Sequence, residues 1–291
     1  MQTETPHWHC GPWRLPMDRT LIMGVLNVTP DSFSDGGRFA TISDAVARAQ
    51  VMIAEGADLI DVGGESTRPG ALPVPAEEEE RRILPVIEEL TRQARVPISV
   101  DTYKAGLAER ALQAGACIIN DISGLSFDRS MVDVARDYGA GVVIMHMKGT
   151  PRDMQKDPQY DDVLQEIHDF LLHRKERALR AGIREESIVI DPGIGFGKRV
   201  EDNFIILREL DYFRRIGSPI LVGPSRKSFI GTTLGLPVEE RLEGTAAAVA
   251  AAILRGANVV RVHDVQAMRR VAAICDRIMG KRFTPPQPAN V

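Results

Sequence analysis

Eight short apolar runs recur along the chain, and each passes at once into polar or ionisable residues. Leu21–Leu26 leads to Asn27, Leu59–Ile60 to Asp61, Ile98–Val100 to Asp101 and Ile118–Ile119 to Asn120. Val142–Met145 leads to His146, Ile188–Ile190 to Asp191, Pro219–Val222 to Ser225 and Lys227, and Val259–Val260 to Arg261 and His263. Runs this short and aliphatic suit strands covered on both faces. Longer helical patterns separate them, as at Ile42, Val46, Ala49 and Ile53. Eight strand–helix alternations close most simply into a (β/α)8 TIM barrel, a single-domain α/β fold. Closure brings every strand C-terminus to one rim, so residues far apart in sequence converge on one pocket. The length of 291 residues fits a barrel, which typically needs about 250.

A weak repeat supports the same reading. Gly-Ala pairs precede several runs, at Gly56-Ala57, Gly115-Ala116, Gly139-Ala140 and Gly256-Ala257, where a helix ends and the chain turns into a strand. The barrel is assigned to 19–282. Residues 1–18 are expected to form an N-terminal segment, either mobile or folded into a short hairpin around Gly11. Both readings are preferred to a metal site at His7, His9 and Cys10, because so short a cluster is a weak signal. The proline-rich tail 283–291 is expected to be disordered. Glu77–Glu80 reads as the first turn of a helix, where carboxylates favour the dipole. Asp161–Ala181 reads as a long amphipathic helix, with His168 and His173 on its surface. Met147–Tyr160 reads as a loop inserted above the barrel, and Val238–Leu254 as a closely packed alanine-rich helix.

Charge and cysteine usage exclude some functions. A formal net charge of −4 argues against nucleic-acid binding, which needs a basic field. No apolar run approaches the roughly 18 residues of a membrane span, and Met1–Arg14 lacks the order of a signal peptide. The three cysteines, Cys10, Cys117 and Cys275, have no C-x-x-C spacing. Cys117 and Cys275 sit in apolar contexts suited to core packing, and a reduced, cytoplasmic setting is expected.

The rim residues divide by chemistry. Asp61, Asp101, Asn120 and Asp191 could bind a hard metal ion, perform acid–base work, or accept from the N–H groups of a heterocycle such as a pterin or guanine. Lys227, Arg261 and His263 in the same set would repel a bare cation. Asp61 divides evenly between a ligand contact and a support for the barrel. Ser225–Ser228 and Arg261–His263 follow the seventh and eighth runs, where barrels often hold phosphate. Position favours Lys227 over Arg226 as the binding cation, since Arg226 also suits a solvated helix. The long loops Asn27–Gly37 and Gly63–Gly70 are expected to be functional lids. Asp191–Lys198 fails both the Walker and the dinucleotide patterns and reads as a rim loop presenting Asp191 and Phe196.

Taken together, Met23–Gly37, Asp61–Gly70, Val100–Thr102, Asn120–Gly124, Asp191–Gly197, Gly223–Gly231 and Arg261–Asp264 resemble the dihydropteroate synthase family. The resemblance spans nearly the whole barrel, in order. It implies condensation of 6-hydroxymethyl-7,8-dihydropterin diphosphate with p-aminobenzoate, giving 7,8-dihydropteroate and diphosphate. It implies that Asp101, Asn120, Asp191 and Lys227 hold the pterin, with Met145 as an apolar wall. Asn27, Thr67, Arg261 and His263 would hold diphosphate, Asn27 through Mg2+. Phe33, Thr67, Arg68, Pro69, Phe196 and Ser225, with Lys227, would border p-aminobenzoate. Asp101, Lys227, Arg261 and His263 would carry the catalytic roles. A homodimer and a place among the targets of sulfonamides are also implied. Two rivals share the pterin-facing residues: a barrel that transfers a methyl group from a reduced folate, and a catalytically silent pterin binder. The diphosphate residues and the intact loops favour the synthase.

Overall fold

The computed structural model describes residues 6–29, 37–66 and 70–281, with the backbone alone for 37–41. Phe33, Thr67, Arg68, Pro69 and the tail 283–291 lie outside the described residues. The chain opens with an antiparallel hairpin, β1 (His7–Cys10) and β2 (Trp13–Pro16), paired from His7↔Pro16 to Cys10↔Trp13. Alternating strands and helices follow: β3 (Leu21–Asn27), α1 (Gly37–Ala54), β4 (Leu59–Gly63), α2 (Ala76–Gln93), β5 (Ile98–Asp101) and α3 (Ala105–Gln113). Next come β6 (Ile118–Asp121), α4 (Met131–Asp137), β7 (Gly141–Met145), α5 (Val163–Arg180) and β8 (Ile188–Asp191). The last elements are α6 (Val200–Arg208), β9 (Leu221–Val222), α7 (Ser228–Leu234), α8 (Leu242–Leu254), β10 (Val259–Val262) and α9 (Val265–Ile278).

Among the described residues, β3 to β10 form one sheet in the order β8-β7-β6-β5-β4-β3-β10-β9, every pair parallel. An Ile190↔Ile220 bridge joins the two ends and closes the barrel. The eight runs seen in the sequence are these eight strands, although the seventh narrows to two paired residues. Every residue of β4 to β8 is buried, because helices cover the outside and side chains fill the inside. Register sets the rim level: Asn27 lies opposite Gly63, Gly63 opposite Asp101, Asp101 opposite Asn120, and Met145 opposite Asp191.

Two cores result. The larger packs helices on the outer sheet face around Ile60, Val100, Ile144, Ile190 and Val262. The smaller fills the barrel's lower interior and is completed by the hairpin. Trp8, Cys10, Leu15 and Met17 pack on Leu21, Leu59, Ile118, Val143 and Val189. Trp8 is fully buried, and its indole donates to the Ser187 carbonyl at 2.9 Å, which satisfies its one polar group. The hairpin thus stops the barrel at the end opposite the strand C-termini. Cys10, Cys117 and Cys275 are buried free thiols. Among the described residues, no helix is long and apolar enough to cross a membrane.

Candidate active site

Sheet order divides the rim into two arcs. β5, β6, β7 and β8 present Asp101, Asn120, Met145 and Asp191. On the other side, β9, β10 and β3 lead into Ser225, His263 and Asn27. Two cations reach between the arcs. Arg261, on β10, donates from Nε to Asp61 at 2.6 Å and from Nη2 to Asp101 at 2.7 Å. Lys227, just past β9, donates from Nζ to the Ile194 carbonyl in the β8 loop and lies 4.4 Å from the centre of the Phe196 ring.

The first arc is dry. Asp61 is fully buried, and Asp101, Asn120 and Asp191 are buried beside it. Burial disfavours charge, so the Asp101 carboxyl is pushed up to about 7, against the pull of Arg261. Burial also raises Asp191, opposed by Lys227 and by the Gly193 N–H, which donates to Oδ1 at 2.7 Å. The Lys227 ammonium is driven down to about 7, burial outweighing Asp191. Burial thus shifts acids up and a base down at the same rim, a pattern that clusters at functional sites. Met145 and Phe196 join Ile122, Met147 and Met154 in a small apolar cluster, with Tyr103 packed against it.

The second arc is braced across β9 and β10. Ser225 Oγ lies 3.0 Å from His263 Nδ1 and accepts from the His263 backbone N–H at 3.2 Å. Ser225, expected beside p-aminobenzoate, therefore has its hydroxyl engaged with His263. Arg226 is not a solvated helix residue. It takes a left-handed φ of 58° and pairs with Asp264 through Nε at 2.9 Å and Nη2 at 2.5 Å. Arg241 fixes its carbonyl at 3.0 Å.

Three residues that sequence reasoning passed over support the rim. Lys198 is buried, and its amine lies 3.0 Å from His146 Nδ1 and donates to the Phe196 carbonyl at 2.9 Å. Burial, aided by Lys198 and Lys148, drives the His146 imidazole down to about 2, so His146 stays neutral. This strut shapes the β8 loop, where Gly193 has a φ of 72° and a methyl group would collide with the His146 carbonyl oxygen. Glu65, at the start of the second rim loop, accepts from Tyr103 at 2.7 Å and from Lys104 at 2.7 Å. Lysine inside a glycine-rich rim loop was the available signal for Lys198; His146 and Glu65 carried only their place just past a strand. The insertion before α5 lies over the same region: Gln155 and Tyr160 each donate at 2.7 Å, to the Gly195 and Gly197 carbonyls.

No group of three or more His, Cys, Asp or Glu residues suited to a metal occurs among the described residues. Asn27, half-buried at the end of β3, offers one hard amide oxygen. Such a donor set fits a Mg2+ ion shared with substrate phosphates rather than an all-protein cage.

Comparison with known proteins gives the family. Residues 23–263 match the pterin-binding enzyme family. Dihydropteroate synthase from Bacillus subtilis is 46% identical over 264 residues, covering 91% of this chain and 90% of the relative. The Escherichia coli K12 enzyme of that name is 45% identical over 92% of this chain and 96% of its own length. The chain belongs to the dihydropteroate synthase family of pterin-binding enzymes. The fold matches as closely. A Yersinia pestis dihydropteroate synthase in a sulfonamide drug complex superposes with a TM-score of 0.89 at 41% identity, covering 94% of this chain and 99% of that one. The Xanthomonas albilineans enzyme in complex with 7,8-dihydropteroate gives a TM-score of 0.86 at 42% identity, covering 95% of this chain and 100% of that one.

Proposed function

We propose that this chain is a transferase of folate biosynthesis that joins 6-hydroxymethyl-7,8-dihydropterin diphosphate to p-aminobenzoate, releasing diphosphate. The observation that carries the reading is the reach of Arg261 and Lys227 across the rim, which sets two basic side chains between an acceptor-rich buried arc and the arc of Ser225, His263 and Asn27. Asp191 and Asn120 accept from the pterin N–H groups, Lys227 donates to the ring, and Met145 packs on its face. Arg261, His263, Asn27 and Thr67 take the diphosphate. Phe196, Ser225, Phe33, Thr67, Arg68 and Pro69 border p-aminobenzoate.

The reaction breaks the C–O bond between the pterin methylene and diphosphate and forms a C–N bond to the aryl amine. The new ammonium then loses a proton. Positive charge left on the methylene spreads into the pterin ring, and Asp101 balances it. The amine is neutral at pH 7 and needs little base, so the protein's part is positioning and electrostatic stabilisation. When bound through Asn27, Mg2+ would offset charge on the leaving diphosphate. Three buried thiols fit a reduced, cytoplasmic setting.

We also propose a homodimer. Phe204, Leu207, Phe229, Leu234, Ala251 and Leu254 of α6, α7 and α8 line an apolar groove of about 550 Å³, in which Leu234 and Leu254 are 51% and 45% exposed. A second copy covering this face would remove that surface from water.

One incubation tests the activity: protein, Mg2+, the pterin diphosphate and p-aminobenzoate, with chromatography for dihydropteroate. Product that depends on both substrates supports the synthase. Pterin binding without turnover would leave the silent relative, and methyl transfer from a reduced folate the other barrel.

A further inference from the structure

Asp61 lies on the floor of the rim, and the proposed reaction gives it no part. Register places it opposite Ser99, two residues below Asp101, under the level at which Asp101 and Asn120 face each other. Its Oδ2 accepts from Asn120 Nδ2 at 2.9 Å and from Arg261 Nε at 2.6 Å. Its Oδ1 is buried with no hydrogen-bond partner among the described residues. These contacts have direction. A carboxylate only accepts, whereas an amide has a donor end and an acceptor end. The reverse amide orientation would set Asn120 Oδ1 against a carboxylate oxygen, acceptor against acceptor in a dry site. Asn120 therefore turns its N–H groups down to Asp61 and keeps its carbonyl oxygen for the pocket.

We propose that Asp61 is a positioning residue that fixes the polarity of Asn120, so that the pocket selects a ring edge bearing N–H donors. The inference rests on the pterin reading and extends it to specificity. The bond to Arg261 Nε does parallel work, leaving the terminal guanidinium nitrogens for Asp101 and an anion.

The test is calorimetric titration of the full chain with two ligands, 6-hydroxymethylpterin and its 2-oxo analogue, in which an acceptor replaces the 2-amino donor. The unaltered chain should prefer the 2-amino ligand by about 100-fold or more, since a site built for donors rejects a mismatched edge. Asp61→Leu frees the amide to rotate, and the preference should shrink about tenfold. Asp61→Asn keeps an acceptor oxygen in place and should hold the preference within about threefold. In an Asn120→Ala background, Asp61→Leu should not change the preference further, because the intermediary is gone. Equal loss of affinity for both ligands would indicate packing alone and overturn the proposal, as would an unchanged preference. If Asp61→Leu does not fold, Asp61→Ala decides by the same comparison: the preference should again shrink about tenfold, and a preference equal to that of the unaltered chain refutes the idea. Failure of the unaltered chain to bind either ligand would instead overturn the pterin reading itself.

Discussion

Asp101 stands under two opposed influences. Burial raises its carboxyl to about 7, while the Arg261 guanidinium 2.7 Å away lowers it. Lys227 is brought down to about 7 from the other side. The proposed chemistry needs Asp101 ionised and Lys227 protonated. kcat/KM for the pterin diphosphate should thus rise as Asp101 loses its proton and fall as Lys227 loses its own, a bell centred near pH 7. Arg261→Gln removes the charge that holds Asp101 down, so the acid limb should move to higher pH. An acid limb that stays put in the pH–rate profile of that variant would show that Asp101 does not set it. Asp191 makes a simpler case. Asp191→Ala leaves pterin N–H donors without an acceptor and should cost about 2–4 kcal/mol of affinity; near-normal calorimetric affinity would remove Asp191 from the pterin site. Both residues were legible because each ends an apolar run and so had to reach the rim. The duty of Asp61 was not, since register below the rim cannot be read from one strand alone.

At the scale of elements, the base of the second rim loop shows where sequence patterns stop informing. Glu77–Glu80 looks like one acidic helix turn, and α2 does begin there. The helical phase, however, turns Glu79 inward to 1% exposure, where Lys104 at the start of α3 meets it at 2.5 Å and Glu65 at 2.7 Å. Burial raises the Glu79 carboxyl, so the ammonium is what keeps two inward carboxylates tolerable. Lys104→Ala strands both and should destabilise the fold by about 3–5 kcal/mol, read as a lower urea midpoint with an unchanged slope. A loss under about 1 kcal/mol would place this trio with ordinary surface pairs. Helix periodicity revealed α2 and its dipole-friendly first turn. It did not reveal that one of four like residues bridges α2, α3 and the loop carrying Glu65, because that depends on how two helices dock.

Over the whole molecule, the barrel was legible because eight parallel strands repeat one signal eight times, whereas the hairpin was legible only as a turn around Gly11. Its docking could not be read, since nothing local marks Trp8 as core for strands far along the chain. Trp8→Ala should cost about 3–5 kcal/mol, seen as a lower melting temperature, while kcat at 25 °C stays close to that of the unaltered chain. A large fall in kcat with stability intact would contradict a purely packing role. Leu254→Glu addresses the other end of the size scale. It should convert a dimer to a monomer by analytical ultracentrifugation without lowering the melting temperature by more than a few degrees; a dimer that persists would put the interface elsewhere. The filled core also governs traffic. With side chains packing the barrel interior and Trp8, Leu15 and Met17 closing its far end, the pocket is a cup with a single mouth. Diphosphate and dihydropteroate must leave by the opening through which fresh substrate enters, so a slow-leaving product stands in the doorway and inhibits by occupation.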